Sequence, residues 1–243
     1  MSRSYITLIF LVLYLNLSFA QDPISSRIPL IGDSAPGFSG ESTLGTITFP
    51  GDNNSKWTIL FSHPADFTAV CSSEILELAA LQDDFEKLDT RLMVISTDAV
   101  SSHIEWVKSL ESVKYKGREP VKIKFPLISD KSLEISRKYG MVQPSASSFN
   151  DVRGVFIIDP EEKIAAIFFY PMNIGRNMDE IKRTLVALQT AEKNNVLIPA
   201  DWRPGLDVML PSPKTSMDAD KSMKNNDPDL SHLTWYMWFK KLK

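Results

Sequence analysis

Trp57-Thr58-Ile59-Leu60-Phe61-Ser62-His63-Pro64-Ala65-Asp66-Phe67-Thr68-Ala69-Val70-Cys71 divides into a strand, a loop and the start of a helix. Trp57 to Phe61 is almost continuously apolar, as expected of a strand at the centre of a sheet covered on both faces. His63 to Val70 is a loop stiffened by Pro64. From near Cys71, the residues Ile75, Leu78, Ala79, Phe85 and Leu88 recur at helical spacing. A buried strand that leads into an amphipathic helix is the opening of an α/β layered sheet.

Outward from this stretch the alternation continues. Leu92 to Ser96 reads as a strand, Ser101 to Leu110 as a helix, Pro126 to Ser129 as a short strand, and Ser132 to Tyr139 as a helix closed by Gly140. Val155 to Ile158 and Ile164 to Phe169 flank Asp159-Pro160-Glu161-Glu162-Lys163 and predict a hairpin. Asn177, with Glu180 three residues on, predicts a capped helix through about Ala191. Thr46 to Phe49 suggests a short strand, whereas Asp22 to Ser39 reads as surface coil. The order βαβα with a terminal hairpin and helix predicts an α/β, thioredoxin-like fold spanning residues 21–186. Pro199, Pro204, Pro211 and Pro213 then mark a small C-terminal region, 187–243, in which Lys214 to Asp229 is expected to be mobile.

The first residues are of a different composition. A short positive start at Arg3 precedes the 14-residue apolar run Ile6–Phe19, and Ser18-Phe19-Ala20 supplies small residues before Gln21. The run is shorter than the roughly 20 residues that span a bilayer. Residues 1–20 are therefore expected to be a secretory signal peptide, with an uncleaved anchor as the alternative. Asn53-Asn54-Ser55 is then a candidate glycosylation site on Asn53. The charge of −3, from 27 basic and 30 acidic residues without long runs, excludes the basic footprint of a nucleic-acid binder.

A secreted chain normally uses cysteines in pairs, yet Cys71 is the only one. That leaves a reactive thiol, an intermolecular bridge or a buried inert side chain. Placed in the first turn of a helix, Cys71 faces unpaired backbone N–H groups that favour a thiolate. Thr68 can turn its hydroxyl to the same spot, and Pro64, without an N–H, limits water access. A thiolate, donors for two peroxide oxygens and a dry wall are the parts a peroxide-reducing site needs.

Pro64, Thr68 and Cys71 match the Pro-x-x-x-Thr-x-x-Cys signature of peroxiredoxins, and His63-Pro64 with Asp66-Phe67-Thr68 resembles the one-cysteine branch. The resemblance runs from about Ile31 to Leu210 and includes Arg153 to Asp159, Tyr170-Pro171 through Gly175-Arg176-Asn177, and Pro199-Ala200-Asp201-Trp202. It implies that Cys71 is the nucleophile that becomes a sulfenic acid. Thr68 would bond the peroxide, Arg153 would stabilise thiolate and transition state, Pro64 would shield them, and Glu74 with Arg176 would orient the arginine. Ala69 departs from the branch, where proline is common. The resemblance further implies peroxide substrates, an external thiol such as glutathione, no cofactor and a homodimer.

The plainer readings are an inert buried cysteine, a surface Arg153, and solvated helix-end charges at Glu74 and Arg176. The motif spacing outweighs them. Of the three histidines, His63 is expected to be a hydrogen-bonded structural residue and His103 and His232 surface residues, with no pair at metal-ligand spacing. Gly51 to Trp57 carries no lipase-type Gly-x-Ser-x-Gly pattern, which argues against lipase activity. Trp235 to Phe239 is expected to dock as a strand on the body or a partner rather than to insert into a membrane. The rival from another class is a secreted thioredoxin-fold binding protein with a relic site.

Overall fold

The computed structural model describes residues 28–51 and 56–242, so the expectations for residues 1–20 and for Asn53 lie outside it. In chain order, β1 (Phe38–Ser42) and β2 (Gly45–Phe49) form a hairpin, and β3 (Trp57–Ser62) leads through the Cys71 loop into α1 (Ala69–Lys87). Next come β4 (Thr90–Ser96), α2 (Val100–Leu110), β5 (Leu127–Ser129) and the short α3 (Glu134–Lys138). A second hairpin, β6 (Arg153–Ile158) and β7 (Ile164–Tyr170), precedes the long α4 (Met178–Asn194). These strands make one sheet in the order β2-β1-β5-β4-β3-β6-β7. The order β5-β4-β3 is parallel and the outer pairings are antiparallel.

Every residue of β3 is buried, because its neighbours β4 and β6 leave it central and both faces are covered. Side chains alternate across a strand. Ile59 and Phe61 therefore join Ile75, Leu78 and Phe85 of α1, Trp106 of α2 and Ile181 and Leu185 of α4. Leu60 points the other way, to Met93, Ile95, Ile128, Ile135 and Phe156. Full burial of each such side chain contributes about 1.5–3 kcal/mol, so the strand that feeds the reactive loop is firmly held on both faces.

Register positions the site. β6 runs antiparallel to β3 with Phe61 opposite Val155, so Arg153 at the start of β6 falls beside the end of β3, where the chain leaves for Cys71. Helix ends follow the sequence signals: Asn177 Oδ1 accepts the Glu180 N–H at 3.2 Å. Gly140 closes the turn after α3 at φ +65°, where a Cβ would stand 2.4 Å from Ile28.

Beyond α4 the chain forms a second, three-stranded sheet in the order β8-β10-β9, from β8 (Val208–Met209), β9 (Leu230–Thr234) and β10 (Met237–Lys240). Trp202, Val208, Val196 and Ala187 make its core. Between β8 and β9 lies α5 (Ser216–Met223), in the segment expected to be mobile. Thr215 caps it, accepting the Asp218 N–H at 3.1 Å, and only Ala219 of this polar helix is buried, which hid the periodicity. β1 likewise occupies the end of a stretch read as coil: Phe38 and Ser42 are buried, but Ser39-Gly40-Glu41 between them gives no apolar alternation. The tail expected to dock as a strand does so as β10, paired with β8 and β9. Among the described residues, no helix is long and apolar enough to cross a membrane.

Candidate active site

Thr68 is the N-cap of α1, so Ala69, Val70 and Cys71 occupy its first three positions. The first helical hydrogen bond is Ser72 N–H to Thr68 C=O, at 2.9 Å. The preceding N–H groups have no partner within the helix and leave partial positive charge at Cys71. The thiol is fully buried, in the apolar cluster of Phe61 and Ile75. Pro64 is buried, while Phe67, Thr68 and Ala69 are exposed, so solvent reaches the loop at the helix start but not the sulfur beneath it. Thr68 Oγ1 donates to the Ala65 carbonyl at 2.9 Å. That spends the hydroxyl proton within the loop and leaves the oxygen free to accept.

Arg153 reaches the sulfur from β6, with Nη1 3.3 Å from Cys71 Sγ and 2.7 Å from Glu74 Oε2. Its Nε donates to the Met172 carbonyl at 2.9 Å, which fixes the plane of the guanidinium. Glu74, one turn along α1, is held by Arg176 on three sides: backbone N and Nε to Oε1 and Nη2 to Oε2, each at 2.8 Å. Arg176 Nη1 in turn donates to the Ser62 and Gly154 carbonyls at 2.8 Å, and its guanidinium lies 5.2 Å from the Phe61 ring. All three charged side chains are almost wholly buried. Burial alone pushes the Glu74 carboxyl up, but Arg176, with Arg153 behind it, reverses this and holds it below the ordinary carboxylate value. Two guanidiniums and one carboxylate leave one buried positive charge uncompensated. A thiolate at Cys71 supplies the missing negative charge, and so would the oxyanion of a departing alkoxide.

The comparisons with known proteins agree with this chemistry. Residues 31–167 match the AhpC/TSA family, and residues 187–226 match the C-terminal domain of 1-Cys peroxiredoxin. A peroxiredoxin of Methanosarcina mazei is 48% identical over 215 residues, covering 88% of this chain and 98% of its own. This chain belongs to the peroxiredoxin family. As a peroxiredoxin it is a thiol-dependent peroxidase, with a thioredoxin-like body and a C-terminal extension. Solved relatives superpose on it. One is a yeast mitochondrial 1-Cys peroxiredoxin studied for thiol resolving via glutathione and thioredoxin systems, with a TM-score of 0.75 at 33% identity, covering 88% of this chain and 100% of that one. Another is a cysteine-to-serine mutant of peroxiredoxin 6 from Arenicola marina, with a TM-score of 0.74 at 30% identity, covering 88% and 99%.

The peroxiredoxin structure brings Cys71, Arg153, Glu74 and Arg176 into one hydrogen-bonded cluster, with Pro64 and Thr68 on the adjoining loop. One expectation needs correction. His103 is not a surface residue but fully buried, because α2 turns the face bearing His103, Trp106 and Leu110 onto the sheet. The spacing of those three residues was the available signal. Asp66, which sequence reasoning gave no role, joins His103 to His63. His232 is exposed as expected and packs on Trp238 with ring centroids 4.5 Å apart.

Proposed function

We propose that this peroxiredoxin reduces hydrogen peroxide and organic hydroperoxides at Cys71 and is recycled by an external thiol. The observation that carries the reading is the 3.3 Å approach of Arg153 Nη1 to Cys71 Sγ, with Glu74 fixing the same nitrogen at 2.7 Å. The thiolate attacks the nearer peroxide oxygen, an S–O bond forms as the O–O bond breaks, and the leaving oxygen departs as water or an alcohol once protonated. Arg153 Nη1 and the free N–H groups of the first turn of α1 offset the charge that moves from sulfur to the leaving oxygen. Thr68 Oγ1, its proton committed to Ala65, accepts the hydrogen of the incoming hydroperoxide. The product is a Cys71 sulfenic acid. One thiol displaces water from it to give a mixed disulfide, and a second releases the cysteine as a disulfide of the two reductants. Glutathione is a reductant of this class, and one solved relative, the yeast mitochondrial 1-Cys peroxiredoxin, is associated with glutathione and thioredoxin systems.

The test is peroxide consumption by purified protein with dithiothreitol or glutathione, alongside Cys71→Ser. We expect turnover in the first and none in the second; a Cys71→Ser protein as active as the parent would end the proposal. We further assign the protein to the secretory lumen or the extracellular space, on the apolar run of residues 6–19 and the Asn53 sequon. Recovery of full-length protein starting at Met1 from the cytosol would contradict that. Homodimerisation belongs to the same reading, and a mass near twice 27.4 kDa (less any cleaved leader) by light scattering is the expected result.

A further inference from the structure

Beside the reactive loop, three side chains form a line sealed from solvent: His103, Asp66 and His63, with side-chain exposures of 0%, 1% and 1%. His103 Nδ1 lies 3.0 and 2.9 Å from the two oxygens of Asp66, and its Nε2 lies 3.3 Å from the Ile128 carbonyl. A carboxylate and a carbonyl only accept, so each ring nitrogen of His103 donates, which makes the ring an imidazolium. His63 Nε2 is 3.0 Å from Asp66 Oδ1, again an acceptor, and therefore carries the His63 proton. His63 Nδ1 is buried with no hydrogen-bond partner among the described residues. Burial keeps His63 below the ordinary imidazole pKa against the pull of Asp66, so its ring is neutral and Nδ1 is a bare lone pair.

The carboxylate at the centre of this line belongs to the loop that carries Pro64 and Thr68. The Asp66 N–H donates to Asp98 Oδ2 at 2.9 Å, and the same oxygen takes the Ser96 hydroxyl at 3.0 Å. Both the backbone and the side chain of Asp66 thus tie the loop to fixed elements, the end of β4 and the face of α2. Trp106, three residues beyond His103, packs 5.1 Å from the His63 ring and 6.4 Å from the Phe67 ring, and its Nε1–H donates to Ser72 beside Cys71. Phe67 itself is held at φ +55°, a left-handed conformation that a non-glycine residue keeps only where the surroundings enforce it. One ligand atom each of His63, Asp66 and Asp98 lie within 4.8 Å of one another, a spacing that fits a cation. Yet His63 Nε2, both oxygens of Asp66 and Asp98 Oδ2 are already engaged by hydrogen bonds, so the cluster is a relay rather than a metal centre.

We propose that Asp66 and His103 are positioning residues of the peroxidase: their buried ion pair fixes His63 as the Nε2–H tautomer and holds the loop bearing Pro64 and Thr68 over Cys71. The inference rests on the reading of Cys71 as the peroxide-reducing thiol. Its test uses the full chain as wild type, His103→Leu and His103→Gln, with folding checked by circular dichroism. Rates of Cys71 oxidation by peroxide and of alkylation by iodoacetamide are compared. Misplaced reacting groups cost up to about 10²-fold, so His103→Leu should oxidise roughly 10- to 10²-fold more slowly. Alkylation, which needs only an accessible thiolate, should be unchanged or faster. Glutamine keeps an N–H for Asp66, so His103→Gln should recover part of the rate; where the leucine variant does not fold, the glutamine variant should still show the split between the two reagents. Nitrogen-15 NMR of the wild type should find His63 protonated on Nε2 alone and His103 on both nitrogens. Variants that oxidise like wild type, peroxide and alkylation rates that fall together, or a His63 proton on Nδ1 would overturn the proposal. Failure of the wild type itself to reduce peroxide would instead strike the reading of Cys71, and the NMR result would still decide the relay.

Discussion

Among single residues, Glu74 decides the electrostatics of the site. It touches both guanidiniums, and each of them has a different use: Arg153 faces the sulfur, while Arg176 is spent on the Ser62 and Gly154 carbonyls. Removing Arg153 should therefore leave a folded, slow enzyme, with Arg153→Ala reducing the peroxide rate by about 10²–10³-fold in stopped-flow measurements. Removing Glu74 should act on the fold as well, because two buried positive charges would lose their partner; breaking such a pair costs about 3–5 kcal/mol. The pH dependence follows in sign. The Glu74 carboxyl is held below its ordinary 4.5, so its contribution is complete above that pH and is lost as acid enters the lowered range. Denaturation of Glu74→Gln across pH should lack that acid limb. Asp151 has the opposite sign. Burial, with Asp130 and Asp98 adding repulsion and Ser136 only partly offsetting them, pushes its carboxyl up to about 8 from 3.8. The unfolded chain gives up that proton near 3.8 and the folded chain only near 8, so stability falls as pH rises through this window. Asp151→Asn should flatten the decline and stabilise the protein at neutral pH by a few kcal/mol, on the order expected for several pKa units; an unchanged slope would show that Asp151 is not its source.

Among elements, the contact between β3 and β6 sets the distance from arginine to sulfur, and Gly154 permits it. Its N–H donates a hydrogen bond to Ser62 Oγ at 2.8 Å, and a Cβ there would stand 3.0 Å from that oxygen and 3.2 Å from Phe169. Gly154→Ala should push β6 away from the end of β3, carry Arg153 off the sulfur and lower both melting temperature and peroxide rate; a variant equal to wild type in both would mean that the strands yield without cost. Locality explains which elements were legible in the sequence. The β3–loop–α1 stretch, the hairpin at Asp159–Lys163 and the Asn177 cap are each encoded within a few neighbouring residues, and all three form as read. The ladder of Arg153 to Glu74 and Arg176 joins residues 79 and 102 positions apart, so it came from the family pattern and not from periodicity. The Asp66–His103 pair spans 37 positions and had no such pattern to reveal it. Strand β1 and helix α5 escaped notice because β1 is held by pairing on both sides, to β2 and β5, and α5 by a side-chain cap, while neither shows an apolar periodicity.

For the whole molecule, one cysteine in 243 residues has a consequence that burial sharpens. The Cys71 sulfur is fully enclosed, with Arg153 across it and Pro64 on the loop beside it. Two copies of the protein cannot bring two such sulfurs to bonding distance without opening the loop and the first turn of α1 in both. A peroxide or a small thiol needs only one opening of one chain. The sulfenic acid formed by peroxide should therefore persist until an external thiol arrives. One equivalent of glutathione should then leave a mixed disulfide on Cys71, seen as a single added mass in intact-protein spectrometry. Excess peroxide without thiol should add oxygen stepwise to the sulfinic and then the sulfonic acid. Both products should vanish in Cys71→Ser, which ties every mass to this one atom. Appearance of a Cys71–Cys71 linked dimer as the species on the path of turnover would show that two subunits resolve each other. The loops of both chains would then have to open together in each catalytic cycle, and the external thiol would act one step later, on the disulfide between chains.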